Sequence, residues 1–300
     1  MAAVPFLDDI ATRVLVCDGA MGTMLYARGA FVNRAFEELN GAQPELVGDI
    51  HRAYVAAGAD VLETNTFGAN SLKLATFGLD GAVKALNRAG VRLARDAAGV
   101  AVHVAGAIGP LGVSLTPHGR TSVAEAERVF RDHAGALLEE GVDLLMLETF
   151  RRADELAAAV RAVRAESDLP VVAQLTTGET GETDDGLAPH TAAPRLLESG
   201  ATMLGVNCSA GPAPMLDIIQ RLVGVAGVPL AAQPNAGLPR AVEGRTLYLS
   251  TPEYVASYAR RFVAVGVRLV GGCCGTTPEH IRQITAAVRN HPCDGAIDTL

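Results

Sequence analysis

Two adjacent cysteines in a glycine-rich turn are the residues of this chain with the clearest chemical potential. Cys273 and Cys274 stand between Gly271-Gly272 and Gly275, after an apolar run and before an amphipathic one, as in a strand, a turn and a helix. A disulfide between neighbouring cysteines would be strained, whereas glycines allow the turn to direct both sulfur atoms to one place. The pair is predicted either to bind a metal or to lie buried as two small apolar side chains.

A third cysteine, Cys208, lies far upstream of this pair and also follows an apolar run. Three thiolates that converge from two strand ends would form a zinc site with one open coordination position. The other two cysteines, Cys17 and Cys293, are predicted to be inert, one inside a strand and the other in the C-terminal tail. Five cysteines are an odd number for a chain of this size, which indicates a reducing compartment.

Composition and charge exclude several classes of protein. The chain has 300 residues, of which 49% are hydrophobic and 19% are charged, so it can bury a sizeable core. Its formal net charge of −8 argues against nucleic acid or an anionic membrane as the main partner. The first ten residues lack the pattern of a signal peptide, and no apolar run approaches the roughly 20 residues of a membrane helix. We therefore predict a cytoplasmic protein that binds neither nucleic acid nor membrane.

Short apolar runs alternate with helical patterns along the whole chain. This alternation predicts a parallel sheet, and eight such units without a linker predict a single closed (β/α)8 barrel of the TIM type. A doubly wound open sheet is the alternative, but the first turn lacks the GxGxxG fingerprint of that fold. We assign the barrel to residues 1–290 and a tail to residues 291–300. The predicted strands span residues 14–18, 59–65, 101–108, 142–147, 170–175, 201–206, 229–232 and 267–270. The predicted helices span residues 44–57, 81–98, 123–140, 154–166, 191–198, 215–223, 252–265 and 279–288.

Polar residues follow most of the predicted strands. The C-terminal ends of all barrel strands open on one face, where barrel enzymes carry their active sites. Thiols, carboxylates and amides dominate there, which indicates a soft metal site with acids that can hold an ammonium group. Each residue also has a structural interpretation, because carboxylates and asparagines cap turns and a buried carboxylate needs a partner. The residues at this face are Asp18, Glu63, Asn65, Glu148, Asn207, Cys208, Asn235, Cys273 and Cys274.

Five motifs resemble the homocysteine S-methyltransferase family. They are similar to the homocysteine-binding module of cobalamin-dependent methionine synthase, and equally to the first half of the bifunctional homocysteine methyltransferase–methylenetetrahydrofolate reductases. The resemblance covers about residues 10 to 290. The motifs are Asp18–Thr23 (DGAMGT), Asn65–Asn70 (NTFGAN), Gly205–Cys208 (GVNC), Pro234–Pro239 (PNAGLP) and Gly271–Ile281 (GGCCGTTPEHI).

The resemblance implies a zinc ion, Zn²⁺, held in a (β/α)8 barrel by Cys208, Cys273 and Cys274. By the same analogy, Asn235 fills the fourth coordination position while substrate is absent. Asn65 and Asn207 join the predicted substrate-binding set because they lie at the same barrel face. The complete set predicted to bind homocysteine is Asp18, Gly19, Ala20, Met21, Glu148, Asn65 and Asn207.

We therefore expect a zinc-dependent S-methyltransferase that activates homocysteine as a zinc-bound thiolate and methylates it to methionine. The thiolate is the nucleophilic form of a thiol, and zinc deprotonates a coordinating thiol outright. The donor is expected to be methylcobalamin, a methylfolate, S-methylmethionine or S-adenosylmethionine, free or carried by a partner protein. The sequence does not select among them, because no donor module follows within 300 residues and residues 176–190 match the family pattern poorly.

Three alternatives stay open at the level of sequence. The chain could methylate another thiol or a selenol. It could be a non-catalytic barrel that binds zinc or thiols, or a redox protein that uses the cysteine pair. A comparison of sulfur acceptors, and the metal content of the purified protein, would separate them.

Overall fold

The computed structural model describes residues 4–31, 33–178, 180–209, 211–242 and 245–289. The predicted tail, residues 291–300 with Cys293, lies outside these ranges.

Eight parallel strands form a barrel, as the sequence predicts. The barrel strands are β1 (Leu15–Val16), β2 (Val61–Glu63), β3 (His103–Ile108), β4 (Leu144–Phe150), β5 (Val171–Leu175), β6 (Met203–Cys208), β7 (Leu230–Pro234) and, after a separate hairpin, β10 (Val267–Val270). Their hydrogen-bonded order is β1-β10-β7-β6-β5-β4-β3-β2. The barrel closes between β1 and β2, where Asp60 N–H donates to Val16 O at 2.7 Å and Asp18 N–H donates to Val61 O at 3.0 Å.

Helices follow the barrel strands and pack around the outside of the sheet. The eight predicted helices are present with ends shifted by a few residues, and several begin with proline at the first turn, where its missing N–H is tolerated. The helices are α1 (Phe6–Thr12), α2 (Gly22–Ala27), α3 (Leu39–Ala42), α4 (Pro44–Ala57), α5 (Ser71–Ala75), α6 (Val83–Ala98), α7 (Val123–Leu138), α8 (Ala153–Arg164), α9 (Pro189–Glu198), α10 (Pro212–Ala226), α11 (Pro252–Ala264) and α12 (Pro278–Arg289).

Several short elements are absent from the sequence prediction. An antiparallel hairpin of β8 (Arg240–Val242) and β9 (Arg245–Leu247) follows β7. Helices α1, α2, α3 and α5 have seven residues or fewer, and a 3-10 helix spans Phe36–Glu38. Two turns or less of helix, or three residues of strand, are too short for a hydrophobic period to identify.

The barrel interior is apolar at one end and polar at the other. Phe6 and Ile10 of α1 join an interior cluster with Leu15, Met146 and Leu269, so α1 closes the N-terminal end of the barrel. A larger apolar cluster lies between the sheet and the outer helices. Because the N-terminal end is filled, the strand C-termini form the open end, and the polar residues collect there.

Across the described ranges, no helix combines the length and apolar character that a bilayer crossing requires.

Candidate metal centre and substrate pocket

Three cysteine sulfur atoms meet at the open end of the barrel. Cys208 is the last residue of β6, and Cys273 and Cys274 follow β10, with β7 between the two strands. The three Sγ atoms all lie within 4.8 Å of one another. The Sγ atoms of Cys208 and Cys274 are 4.0 Å apart. Tetrahedral zinc with bonds of about 2.3 Å to sulfur requires sulfur atoms roughly 3.8 Å apart, so a small contraction would bring this cluster to zinc geometry.

The backbone of the cysteine turn is tied to the end of β7. Cys273 N–H donates to Pro234 O at 2.9 Å, and Ala236 N–H donates to Cys274 O at 2.9 Å. Gly275 has φ +80°, and a side chain there would also collide with the ring of Tyr248, which follows the hairpin. Glycine is therefore required at 275 on two independent grounds.

Cys208 itself has an unusual backbone conformation. Its φ is +59° and that of Ser209 is +55°, in the left-handed region that residues other than Gly, Asn and Asp rarely adopt. Such conformations persist only where surrounding contacts impose them, and they concentrate at functional sites. This turn directs the Cys208 sulfur toward the pair from β10.

The three thiols perturb one another in a way that suits a cation. Hydrogen bonds from Cys208 and Cys273 lower the pKa of Cys274. Hydrogen bonds with Cys208 and Cys274, together with burial, raise the pKa of Cys273 well above its ordinary value. The cluster thus stabilises a first thiolate and resists further ones, because additional negative charges would repel each other. A divalent cation at the centre would remove that repulsion.

Asn235 lies beside this cluster with an oxygen available. Its Nδ2 donates to Ser209 O at 2.9 Å, and the side chain is buried. Within the described part of the chain, Asn235 Oδ1 has no hydrogen-bond partner. Three sulfur donors and one unpartnered buried oxygen are a donor set that fits zinc.

Three carboxyl groups cluster near the cysteines: Glu63 and Glu148 line the same cavity, and Asp18 lies buried next to Glu63. Asp18 follows β1, Glu63 ends β2 and Glu148 lies in β4. Asp18 Oδ2 accepts a hydrogen bond from Glu63 N–H at 3.1 Å. Burial, and then the negative charge of Glu63, raise the pKa of both Asp18 and Glu148 well above the usual range. An ammonium group among these carboxyls would reverse that effect and would be held by charge-assisted hydrogen bonds.

Asn207 connects the acids to the sulfur atoms. Its Oδ1 accepts from Thr149 N–H at 2.8 Å, and its Nδ2 donates to Thr149 Oγ1 at 2.8 Å and to Glu148 Oε2 at 3.1 Å. The same Nδ2 lies 3.9 Å from Cys273 Sγ. Glu148 and Cys273 are therefore separated by a single amide group. Asn207 is fully buried, so its contribution to substrate binding would pass through Glu148.

Asn65 supports the pocket from the opposite side. Its Nδ2 donates to Phe36 O at 2.9 Å and to Asn40 Oδ1 at 2.8 Å. Phe36 and Glu37, which lie outside every predicted strand and helix, line the cavity together with Phe67. Phe67 lies in the Asn65–Asn70 motif, whereas Phe36 and Glu37 belong to a 3-10 helix that is too short for a hydrophobic period to identify.

The turn after β1 forms the floor of the pocket. A side chain at Gly19 would lie 2.6 Å from Thr276 Oγ1, so only glycine fits. Ala20 N–H donates to Thr276 Oγ1 at 3.2 Å, and Ala20 O accepts from the Tyr54 hydroxyl at 2.7 Å. Backbone N–H groups of Gly19, Ala20 and Met21 could bind the substrate carboxylate, but that of Ala20 already has a protein partner. Those of Gly19 and Met21 are the better candidates.

Glu63 is a carboxyl residue of the cavity that the predicted binding set omits. The sequence places it at the barrel mouth, at the end of β2, and the structure brings it to the cavity beside Glu148. The cavity has a volume of about 280 Å³ and contains both the cysteine cluster and the acids in its wall. Cys17, predicted to be inert, is fully buried, with its Sγ 3.4 Å from Glu63 Oε1.

Comparisons with known proteins identify the relatives of this chain. The family model for homocysteine S-methyltransferase matches residues 15–288. Methionine synthase of Mycobacterium tuberculosis is 37% identical over 302 aligned positions, which cover 95% of this chain and 25% of that protein. Methionine synthase of Mycobacterium leprae is 35% identical and likewise has 25% of its length covered. The chain thus spans about a quarter of the length of these relatives.

Solved structures support the fold. The homocysteine methyltransferase MmuM from Escherichia coli, in its metallated form, superposes with a TM-score of 0.80 at 29% identity. That match covers 94% of this chain and 99% of the MmuM chain. The carboxyl transferase domain of Rhizobium etli pyruvate carboxylase, with a TM-score of 0.53 at 17% identity, shares the barrel fold alone.

Proposed function

The chain belongs to the homocysteine S-methyltransferase family, and from that membership we propose that it transfers a methyl group to the sulfur of homocysteine to form methionine. The observation that carries the proposal is the meeting of three cysteine sulfur atoms with Glu63 and Glu148 at one small cavity, with Asp18 buried next to Glu63. A thiol that also bears an ammonium group has a complementary partner for each of its ends there.

In this proposal, Cys208, Cys273 and Cys274 hold zinc, and Asn235 Oδ1 supports the site before substrate arrives. The unpartnered oxygen of Asn235 and the sulfur separations favour this assignment. When bound, zinc would supply a Lewis acid that keeps the substrate sulfur in its nucleophilic thiolate form at neutral pH.

The residues of the chain then bind and orient the amino acid end of the substrate. Asp18 and Glu148 accept hydrogen bonds from the ammonium group, and the N–H groups of Gly19 and Met21 are the donors proposed for its carboxylate. Asn207 holds Glu148 beside the cysteine cluster, so the group proposed to bind the ammonium lies close to the groups proposed to hold the sulfur through zinc. This fixed geometry would hold the sulfur facing the open side of the cavity, from which a donor approaches.

The donor is proposed from the same four classes as before: methylcobalamin, a methylfolate, S-methylmethionine or S-adenosylmethionine, free or on a partner protein. The test incubates zinc-loaded protein with L-homocysteine and each donor in turn, and methionine is measured by mass spectrometry. Methionine formation from at least one donor is expected, and failure with all four, including a methylcobalamin-carrying protein, would contradict the proposal.

Replacement of one ligand tests the assignment of the metal site. Cys273→Ala removes one of three sulfur donors, so bound zinc should fall from one per chain to well below that, and turnover should be lost with it. Cys17→Ala is the matched control for metal content, because it removes a buried thiol outside the cluster and should keep one zinc per chain. A Cys273→Ala protein with stoichiometric zinc and a normal rate would rule out the assignment.

A further inference from the structure

The buried side-chain amides of Gln174 and Gln233 form a hydrogen-bonded relay that crosses the barrel interior and ends on Glu63. Gln174 of β5 donates from Nε2 to Gln233 Oε1 of β7 at 2.6 Å, and Gln233 Nε2 donates to Glu63 Oε1 at 2.6 Å. Both glutamines are buried, with exposures of 0% and 2%. The link passes across β6 at Gly205, where a side chain would lie 2.9 Å from Gln174 Oε1. Glycine at 205 therefore leaves the space that the two amides need.

The direction of this relay is set by its last member. A carboxylate can only accept, so Gln233 must turn its NH₂ group to Glu63 and its oxygen to Gln174. Gln174 then presents its own NH₂ group to Gln233, and Gln174 Oε1 is left without a hydrogen-bond partner among the residues that the structure describes. An unpaired buried acceptor is unfavourable, so the hydrogen bond from Gln233 to Glu63 must outweigh the cost of leaving Gln174 Oε1 unpaired.

The surroundings of the relay make a purely structural role unfavourable. The barrel interior next to it is apolar and includes Leu144, Val172 and Met203. Apolar side chains of similar volume would fill this space without the burial of polar groups. The two amides instead fix one oxygen of Glu63, since Oε1 accepts from Gln233 and also lies 3.4 Å from Cys17 Sγ. Oε2 is then the oxygen left to accept a hydrogen bond from a ligand in the cavity.

We propose that Gln174 and Gln233 are positioning residues that turn Glu63 Oε2 toward the ammonium group of the substrate. Glu63 and Glu148 both line the cavity, so both carboxyl groups can accept from one ammonium group there. Glu63 thereby becomes a specificity residue: the pocket selects thiols that carry a primary ammonium group. This inference rests on the proposed function, because it assumes that an amino acid thiol occupies the cavity.

Binding measurements on the full, zinc-loaded chain test the inference without a methyl donor. Calorimetry compares L-homocysteine with 4-mercaptobutanoate, which has the same thiol and carboxylate but no amine. Glu63→Gln keeps the shape of the side chain and should weaken L-homocysteine binding by about 10- to 100-fold, because it removes a charge-assisted hydrogen bond. The affinity for 4-mercaptobutanoate should change by less than about threefold, within the scatter of a neutral substitution.

Gln233→Met tests the relay itself. It preserves volume but removes the amide donor to Glu63 Oε1 and leaves only the weak Cys17 thiol, so L-homocysteine affinity should fall by about three- to tenfold with little change for the amine-free thiol. Val172→Ala is the control, since it disturbs the same interior without touching the relay; it should lower thermal stability and keep the preference for the amine.

Two results would overturn the inference, and they can be told apart. Equal losses of affinity for both thiols in Glu63→Gln would mean that Glu63 does not recognise the amine, while the proposed function would stand. Zinc-loaded wild-type protein that binds neither thiol would remove the proposed function, and the inference with it.

Discussion

Replacement of Asn207 by alanine should weaken both the fold and the metal site. Asn207 joins β4 to β6 through three side-chain hydrogen bonds of 2.8, 2.8 and 3.1 Å to Thr149 and Glu148. It also holds Thr149 at φ +62°, a conformation that needs support from its neighbours. Three hydrogen bonds contribute about 1 kcal/mol each, so the free energy of unfolding should fall by about 3 kcal/mol. For a chain of this length, that corresponds to a melting temperature roughly 5 °C lower.

The same substitution should reduce zinc affinity by about tenfold, because residues that orient metal ligands typically contribute this much. Asn207 immediately precedes Cys208, and its Nδ2 lies 3.9 Å from Cys273 Sγ. Stability is measured by thermal unfolding of the metal-free protein, and zinc affinity by competition with a chromophoric chelator.

A matched control separates the two effects. Asn87 in α6 is also fully buried, and its Nδ2 donates to Ala69 O at 2.8 Å and to Val83 O at 2.9 Å. Asn87→Ala should therefore lower stability by about 2 kcal/mol and leave zinc affinity unchanged. The reasoning would be refuted if Asn207→Ala lost less than about 1 kcal/mol, or if both variants weakened zinc binding equally.

Two further predictions concern the backbone and the acids. Gly275→Ala should lower the free energy of unfolding by about 2 kcal/mol or more, because residue 275 has φ +80° and the ring of Tyr248 fills the space of a side chain. Thermal unfolding measures this loss, and an unchanged melting temperature would contradict it. Burial and the charge of Glu63 raise the pKa of Asp18 in the folded state. The folded protein therefore holds a proton on Asp18 at pH values where the unfolded chain has lost it. The free energy of unfolding of the metal-free protein should then fall as pH rises above about 4. Asp18→Asn should remove that dependence, so the stability gap between variant and wild type should widen with pH in urea titrations; a gap independent of pH would count against the assignment.

Local patterns were sufficient to predict the barrel and most of its polar end. Each strand and its following helix is encoded in about 30 consecutive residues, and the alternation of β-type runs with helical periods identifies the fold. Polar residues such as Glu148, Asn207 and Cys208 follow apolar runs in the sequence, and parallel strands in a barrel place all such ends on one face. The three cysteine sulfur atoms lie together as the zinc hypothesis requires.

The contacts that orient those side chains could be decided only by the tertiary structure. The relay from Gln174 through Gln233 to Glu63, and the bridge from Asn207 to Thr149, join residues 58 to 170 positions apart. Nothing in the sequence near Gln233 indicates which strand it faces, because that depends on how the barrel closes and on the space left at Gly205. Sequence periodicity reports which face of an element is buried, whereas the partner across the barrel is determined by strand order and register.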